Sequence, residues 1–249
     1  MDLLPSDTTR ATKHAVITGG AKGIGAGTAR ELTADGWHCI ILDADPAGQG
    51  VADELGCTFV RADVTQPQRL REVFADAAAR FGPLHGLVNS AGINRTGPSA
   101  ELAADDWQRV IDIDLSGTFY ACQAAYPHLA PGAAIVNLAS VFSMRALPGR
   151  VAYAAAKHGV VGITRVLAVE WAERPIRVNA VAPSWTDTPL IRDQVAAGTI
   201  DLGVLEHVPF RRLARVEDVT GAIAFLLGDK STFITGQTLY VDGGYTWAG

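Results

Sequence analysis

The sequence predicts an α/β fold in which one parallel β-sheet is covered by helices on both faces. Three observations carry that prediction. Short, nearly continuous apolar runs alternate with longer stretches of helical composition, as in sheets buried on both sides. A glycine-rich turn joins the first apolar run to the first helical stretch. No composition break, Pro/Ser-rich linker or internal repeat divides the 249 residues, a length ordinary for one α/β domain with a large core.

Taken in order, His14–Thr18 is the first strand, and the glycine turn and a helix to about Gly36 follow it. Trp37–Asp43 and Cys57–Ala62 are the next two strands. Helix Gln68–Phe81 then leads to strand Leu84–Asn89, and helix Ala104–His128 leads to strand Ala133–Ala139. Helix Val151–Glu173 precedes strand Ile176–Ala182, and helix Val216–Gly228 precedes strand Thr238–Asp242. Residues 183–212 break the rhythm, mixing Pro, Gly, charges and scattered apolar residues. So long a connection is usually a functional lid or loop, and this one follows the carboxyl end of a strand, where open α/β sheets bind ligands. The expected organisation is therefore a single domain over 1–249 with a substrate lid at about 184–212.

Hydrophobic residues make up 48% and charged residues 19%, a balance that argues against extensive disorder. A net charge of -5 gives no electrostatic reason to expect a nucleic acid or an anionic membrane as partner. No apolar run approaches the roughly 18 residues of a membrane span. Met1–Lys13 is polar and reads as a short tail, without the apolar stretch of a secretory signal. Cys39, Cys57 and Cys122 are odd in number and lack metal-type spacing, so neither a disulfide framework nor a metal site is expected. A reducing cytoplasm fits best.

After the first strand the chain reads Thr18-Gly19-Gly20-Ala21-Lys22-Gly23-Ile24-Gly25 and enters a helix. Glycines there permit a tight turn and let backbone N–H groups approach a pyrophosphate at the positive end of the helix. The second strand ends at Asp43, placed to accept hydrogen bonds from an adenosine ribose and to repel a 2′-phosphate. Asp43, with Asp45 as a candidate to share the role, favours NAD over NADP, whereas Lys22 in the turn argues the other way. The third strand runs out into Asp63-Val64 and the fourth into Asn89-Ser90-Ala91-Gly92, small residues that keep the floor of a nucleotide cleft open.

Ser140 closes the fifth strand, so its hydroxyl is expected at the carboxyl edge of the sheet. Tyr153 and Lys157 are four apart on a predicted helix and share a face. A phenol has a pKa of about 10, too high for a base near neutrality, and a neighbouring ammonium is expected to lower it. Ser140 would steady the substrate oxygen.

Glycine turn, strand-tip aspartate, Asn-Ser-Ala-Gly turn, and Ser140 upstream of Tyr153 and Lys157 occur in this order along one chain. This pattern resembles the classical short-chain dehydrogenase/reductase family over nearly the whole sequence. The resemblance implies one doubly wound Rossmann-type domain with a seven-stranded parallel sheet flanked by helices, assembled as a homotetramer through its long helices. It implies that Ser140, Tyr153 and Lys157 are catalytic, with Lys157 also holding the nicotinamide ribose. It implies cofactor contacts at Gly19, Lys22, Gly23, Ile24, Gly25, Asp43, Asp63, Val64, Asn89, Ala91, Gly92, Pro183 and Thr188. Val241-Asp242-Gly243-Gly244 also matches the family. Ser90 and Ser184 depart from it, standing where the family has Asn and Gly.

A further departure is Asp114, where the family has a fourth catalytic residue, an Asn that positions a proton-relay water. An ionised carboxylate accepts hydrogen bonds but cannot donate as an amide does, and it can pair with Lys157. The expectation is a working relay with altered pH dependence.

The activity so implied is interconversion of an alcohol and its carbonyl with NAD, Tyr153 serving as general acid/base and the partner being a small molecule. Substrate choice is assigned to 142–150 and the lid, with Phe142, Ser143, Arg145, Trp185, Asp187 and Arg192 as candidate contacts. That mix suits a sugar or polyol as well as a carboxylate. Two alternatives stay open, an NADP-dependent carbonyl reductase and a non-catalytic nucleotide-binding regulator, the second opposed by the presence of Ser140, Tyr153 and Lys157.

Overall fold

In the computed structural model seven strands form one sheet: β1 (His14–Thr18), β2 (His38–Asp43), β3 (Thr58–Arg61), β4 (Leu84–Asn89), β5 (Leu129–Leu138), β6 (Arg177–Pro183) and β7 (Thr238–Val241). The structure describes residues 12–248, so most of the expected polar tail lies outside the described residues. Every pairing is parallel and the strand order is β3-β2-β1-β4-β5-β6-β7. The order reverses between β1 and β4, and a crevice opens at the carboxyl ends of strands flanking such a reversal.

The central strands are largely apolar because both faces are covered. Alternate residues enter two separate cores. Val16, Ile40, Leu42, Leu87, Ile135 and Val178 face one side, while Ala15, Ile17, Ile41, Val88, Val136 and Val181 face the other. The first core is closed by α3 (Pro67–Phe81), α5 (Gly117–Ala125) and α6 (Val151–Glu170). The second is closed by α1 (Gly23–Ala34), α2 (Gly48–Leu55) and α8 (Val216–Leu227).

Three elements differ from expectation. The helix expected over Ala104–His128 is interrupted: α4 (Ala104–Val110) passes into a π-helical turn, Ile111–Ser116, before α5, and a 3-10 turn, Tyr126–His128, ends it. Such turns carry an extra residue and recur at functional sites. Here the turn coincides with close packing, since a Cβ on Gly117 would stand 2.6 Å from Val64 Cγ2. The short α2 was not anticipated, because Gly48 and Gly50 obscure its few apolar positions. Residues 184–212 are more ordered than a plain loop, containing α7 (Pro189–Ala196) and a 3-10 turn, Leu202–His207. Thr188 caps α7, its Oγ1 accepting from Ile191 N at 3.4 Å.

A polar chain runs through the first core. Asn89 Nδ2 donates to Asn137 Oδ1 at 2.8 Å, Asn137 Nδ2 to Thr164 Oγ1 at 2.9 Å, and Thr164 Oγ1 to Val160 O at 2.8 Å. All three side chains are buried, so each bond is made where water cannot replace it. Asn137→Ala takes an acceptor from the Asn89 amide and a donor from the Thr164 hydroxyl. It is expected to cost about 1–3 kcal/mol, read as an earlier urea-unfolding midpoint; an unchanged midpoint would show that the chain contributes nothing.

Candidate active site

Gly19 turns the chain at the end of β1 with φ +66°, and a Cβ there would lie 2.6 Å from the Ala91 backbone. No other residue fits between the glycine turn and the segment after β4. The first turn of α1 has no side-chain cap and no acidic residue, so its N–H groups remain available to an anion. The cradle therefore suits a dinucleotide pyrophosphate. Asp43 Oδ2 accepts from Ala21 N and Oδ1 from Asp45 N, both at 2.9 Å, which fixes the carboxylate at the tip of β2. Lys22 lies 3.7 Å from Asp45 in an exposed ion pair, and Arg61 turns its Nε to Ala44 O at 3.3 Å. Asp63 Oδ1 accepts from the backbone and hydroxyl of Thr65. Val64 is buried with its side chain packed against Gly117.

The deeper end of the same crevice brings together Ser140, Tyr153, Lys157 and Asp114, with Gly92, Ile24, Pro183 and Thr188 around them. Ser140 follows β5 in extended backbone, and its Oγ accepts from Phe142 N at 3.2 Å. Tyr153 and Lys157 project from the first turns of α6, with Lys157 Nζ 5.4 Å from the phenol ring centroid. Lys157 Nζ donates to Leu138 O at 2.9 Å and lies 3.2 Å from Asp114 Oδ2. Asp114 is fully buried on the π-helical turn, and its Oδ1 accepts from Ile93 N at 2.8 Å. A Cβ on Gly92 would stand 2.9 Å from Asp114 Oδ2 and 3.5 Å from Lys157 Nζ, so glycine alone roofs the pair without displacing it.

Lys157 draws the Tyr153 phenol down, in line with the sequence expectation, but burial outweighs it and holds the phenol above its ordinary pKa. Asp114 adds to that rise, and Ser140 and Arg150 favour the phenolate. Burial also raises the Asp114 carboxyl, against the pull of Lys157 and the Ile93 N–H. For Lys157, burial works against the ammonium, but Asp114 and Tyr153 outweigh it and hold the pKa above the usual value. The expected pairing of Asp114 with Lys157 is thus present, and it leaves the lysine a weaker lever on Tyr153.

Several residues assigned from the sequence lie elsewhere. Asn89 sits beneath the cleft, its amide spent on Asn137 and Cys122, because its side chain points into the first core. Arg145 turns away to donate to Tyr245 O and Ala248 O and stacks on the Tyr245 ring. Ser143 Oγ donates to Ser140 O at 2.6 Å, closing a local turn. Asp187 and Arg192 neutralise each other in a two-pronged exposed ion pair, at 2.7 and 3.0 Å. Phe142 and Trp185 do line the cleft, ring edge to face, with centroids 5.5 Å apart. Ser90 of the Asn-Ser-Ala-Gly turn lines it as well, and so do Asn94 and Ile191, which no motif announces.

The chain matches the family model described as enoyl-(acyl carrier protein) reductase over residues 19–246. The cis-4-hydroxycyclohexanecarboxylate dehydrogenase of Sinomonas cyclohexanicum is 41% identical, over 95% of this chain and 97% of that protein. The cyclohexanol dehydrogenase of Acinetobacter sp. (strain SE19) is 37% identical, over 94% of this chain and 95% of its own. Among solved structures, levodione reductase superposes with a TM-score of 0.92 at 28% identity, covering 96% of this chain and all of the other (100%). ElxO with NADP bound superposes with a TM-score of 0.88 at 31% identity, covering 94% and 98%.

Replacing Asp114 by Asn removes a charge that raises the Tyr153 pKa and releases Lys157 to act on the phenol. The Tyr153 ionisation is expected to move to lower pH in Asp114→Asn, read as the ultraviolet difference titration against the matching Tyr153→Phe protein. A shift upward, or none, would sink the three-body account.

Proposed function

The chain belongs to the short-chain dehydrogenase/reductase family and is an alcohol/carbonyl oxidoreductase, and we propose that it prefers NAD(H) and acts on a small secondary alcohol. One observation carries the assignment of roles: Ser140, Tyr153 and Lys157 converge on one cleft at the carboxyl edge of the sheet, beside a helix N-terminus that no side chain caps. The glycine turn over Gly19, Gly23 and Gly25, with Lys22 and Ile24, would hold the pyrophosphate; Asp43 the adenosine ribose; Asp63 and Val64 the adenine. Ala91, Gly92, Pro183 and Thr188 would flank the nicotinamide end, where Lys157 would hold the ribose.

In oxidation the Tyr153 phenolate, formed when further positive charge stands beside it, takes the hydroxyl proton at Oη as the carbinol carbon gives up its hydride, leaving the carbonyl. Ser140 holds the oxygen in line with the phenol. Lys157 keeps a fixed positive charge beside the developing phenolate. The dinucleotide, when bound, accepts or returns the hydride and in its oxidised form brings a further positive charge to the cleft. The segment 184–212 serves as the substrate lid: its Thr188 Cγ2 stands 3.5 Å from where a Gly23 Cβ would be, joining lid to glycine turn. NAD preference rests on Asp43 at the ribose position and on Lys22 being held by Asp45. Exposed Phe119, Val166 and Val169 on α5 and α6 support a homotetramer assembled through those helices.

Initial rates with cyclohexanol, 4-hydroxycyclohexanecarboxylate and threitol, each with NAD+ and with NADP+, test the reading. The kcat/KM for NAD+ is expected to exceed that for NADP+ by about tenfold or more, as a carboxylate facing a 2′-phosphate requires. A preference for NADP+ overturns the cofactor assignment. Tyr153→Phe is expected to lose about a hundredfold or more in kcat while still binding NADH, the scale of a positioned acid/base. Undiminished turnover by that variant would remove Tyr153 from the reaction. Sedimentation velocity tests the assembly, and a monomer at micromolar concentration would refute it.

A further inference from the structure

Arg150 immediately precedes α6 and is only 4% exposed. Its guanidinium makes no hydrogen bond or ion pair with any described residue, and Nη1 is wholly shielded from water. Elsewhere the protein satisfies its sheltered arginines. Arg177 donates to Leu226 O, Leu227 O and Gly228 O, Arg174 to Tyr126 O and Leu129 O, and Arg145 to two carbonyls near the C-terminus. Among the described residues Arg150 is the exception, and it stands behind the cleft wall, against Trp185.

Its Cζ is 5.9 Å from the ring of Trp185, and Trp185 Nε1 is a second buried donor with no acceptor. Trp185 lines the cleft edge-on to Phe142, whose centroid is 6.3 Å from that of Tyr153. The two unsatisfied donors thus stand on the same aromatic wall as the reacting phenol. Stacking on an indole returns only part of what burying a cation costs. Among the described residues no carboxylate pairs with it to supply the rest. A guanidinium fork matches a carboxylate in two parallel hydrogen bonds. The surroundings decide the remainder of the ligand: Phe142, Trp185, Ile191 and Leu147 form one apolar cluster, suited to a hydrocarbon skeleton rather than a polyol.

We propose that Arg150 is the anion seat of the substrate pocket, so that the substrate is a hydroxy acid with an apolar skeleton. Its carboxylate is received by Arg150 and the Trp185 N–H while its hydroxyl lies at Tyr153 and Ser140. The inference rests on the dehydrogenase reading above. The hydroxyl proton goes to Tyr153, the carbinol hydride goes to the oxidised dinucleotide, and the carboxylate leaves unchanged on the resulting oxo acid.

The test compares 4-hydroxycyclohexanecarboxylate with cyclohexanol, which share a ring and differ in the carboxylate. The unmodified protein is expected to favour the acid in kcat/KM by about thirtyfold or more, the lower bound for a desolvated charge pair. Arg150→Gln should remove most of that ratio, chiefly through KM for the acid, and Arg150→Lys should restore part of it. No preference for the acid, or a preference that survives in Arg150→Gln, overturns the proposal. If neutral alcohols are oxidised without preference, only the anion seat fails. If no alcohol is oxidised with either dinucleotide, the dehydrogenase reading fails, and ligand binding then judges the seat alone. In that case, or if Arg150→Gln does not fold, melting of the unmodified protein with and without NADH decides. Cyclohexanecarboxylate should raise Tm and its methyl ester should not; equal effects overturn the seat.

Discussion

The cleft is organised around one buried ion pair, Lys157 with Asp114. Two charges taken out of water gain little net stability from each other, yet removing one strands its partner at a cost of about 3–5 kcal/mol. The pair therefore locates charge more than it strengthens the fold. Each partner is held from elsewhere: Lys157 by Leu138 O at the end of β5, Asp114 by Ile93 N after β4. The carboxyl ends of two central strands and the start of α6 are thereby fixed to one another in the wall of the cleft.

The same pair sets the character of Tyr153. A lysine alone beside a phenol favours the phenolate, whereas a lysine already answered by a carboxylate favours it less. In this protein burial and Asp114 together prevail over Lys157, so the phenol of the cofactor-free cleft stays protonated. Such a site is better prepared to give a proton than to take one until further positive charge enters. Asp114 lies on the π-helical turn, an irregularity of the kind that recurs at functional sites.

Much of this was legible in the sequence because it rests on local rules. Strand identity followed from apolar runs, and β4 agrees with expectation residue for residue. The glycine turn, Asp43, Ser140, Tyr153 and Lys157 were legible through spacing and strand ends, which topology then gathers at one edge. What escaped depends on direction rather than position. Arg145 and Arg150 are five residues apart on the same connection, and nothing in their order tells which one turns inward. Asn89 ends a strand at the cleft, yet the pleat sends its side chain to the core. Asp187 and Arg192 look like polar contacts for a ligand until their distance shows that each satisfies the other. The π-helical turn is invisible to a helical period, which reads straight through residues 104–128.

Arg145 has a bearing of its own. By gripping Tyr245 O and Ala248 O it moors the C-terminal segment to the connection that runs from Ser140 to α6. The segment from Tyr245 to Ala248 is in this way a strut of the cleft wall, and disturbing it will be felt at the substrate side.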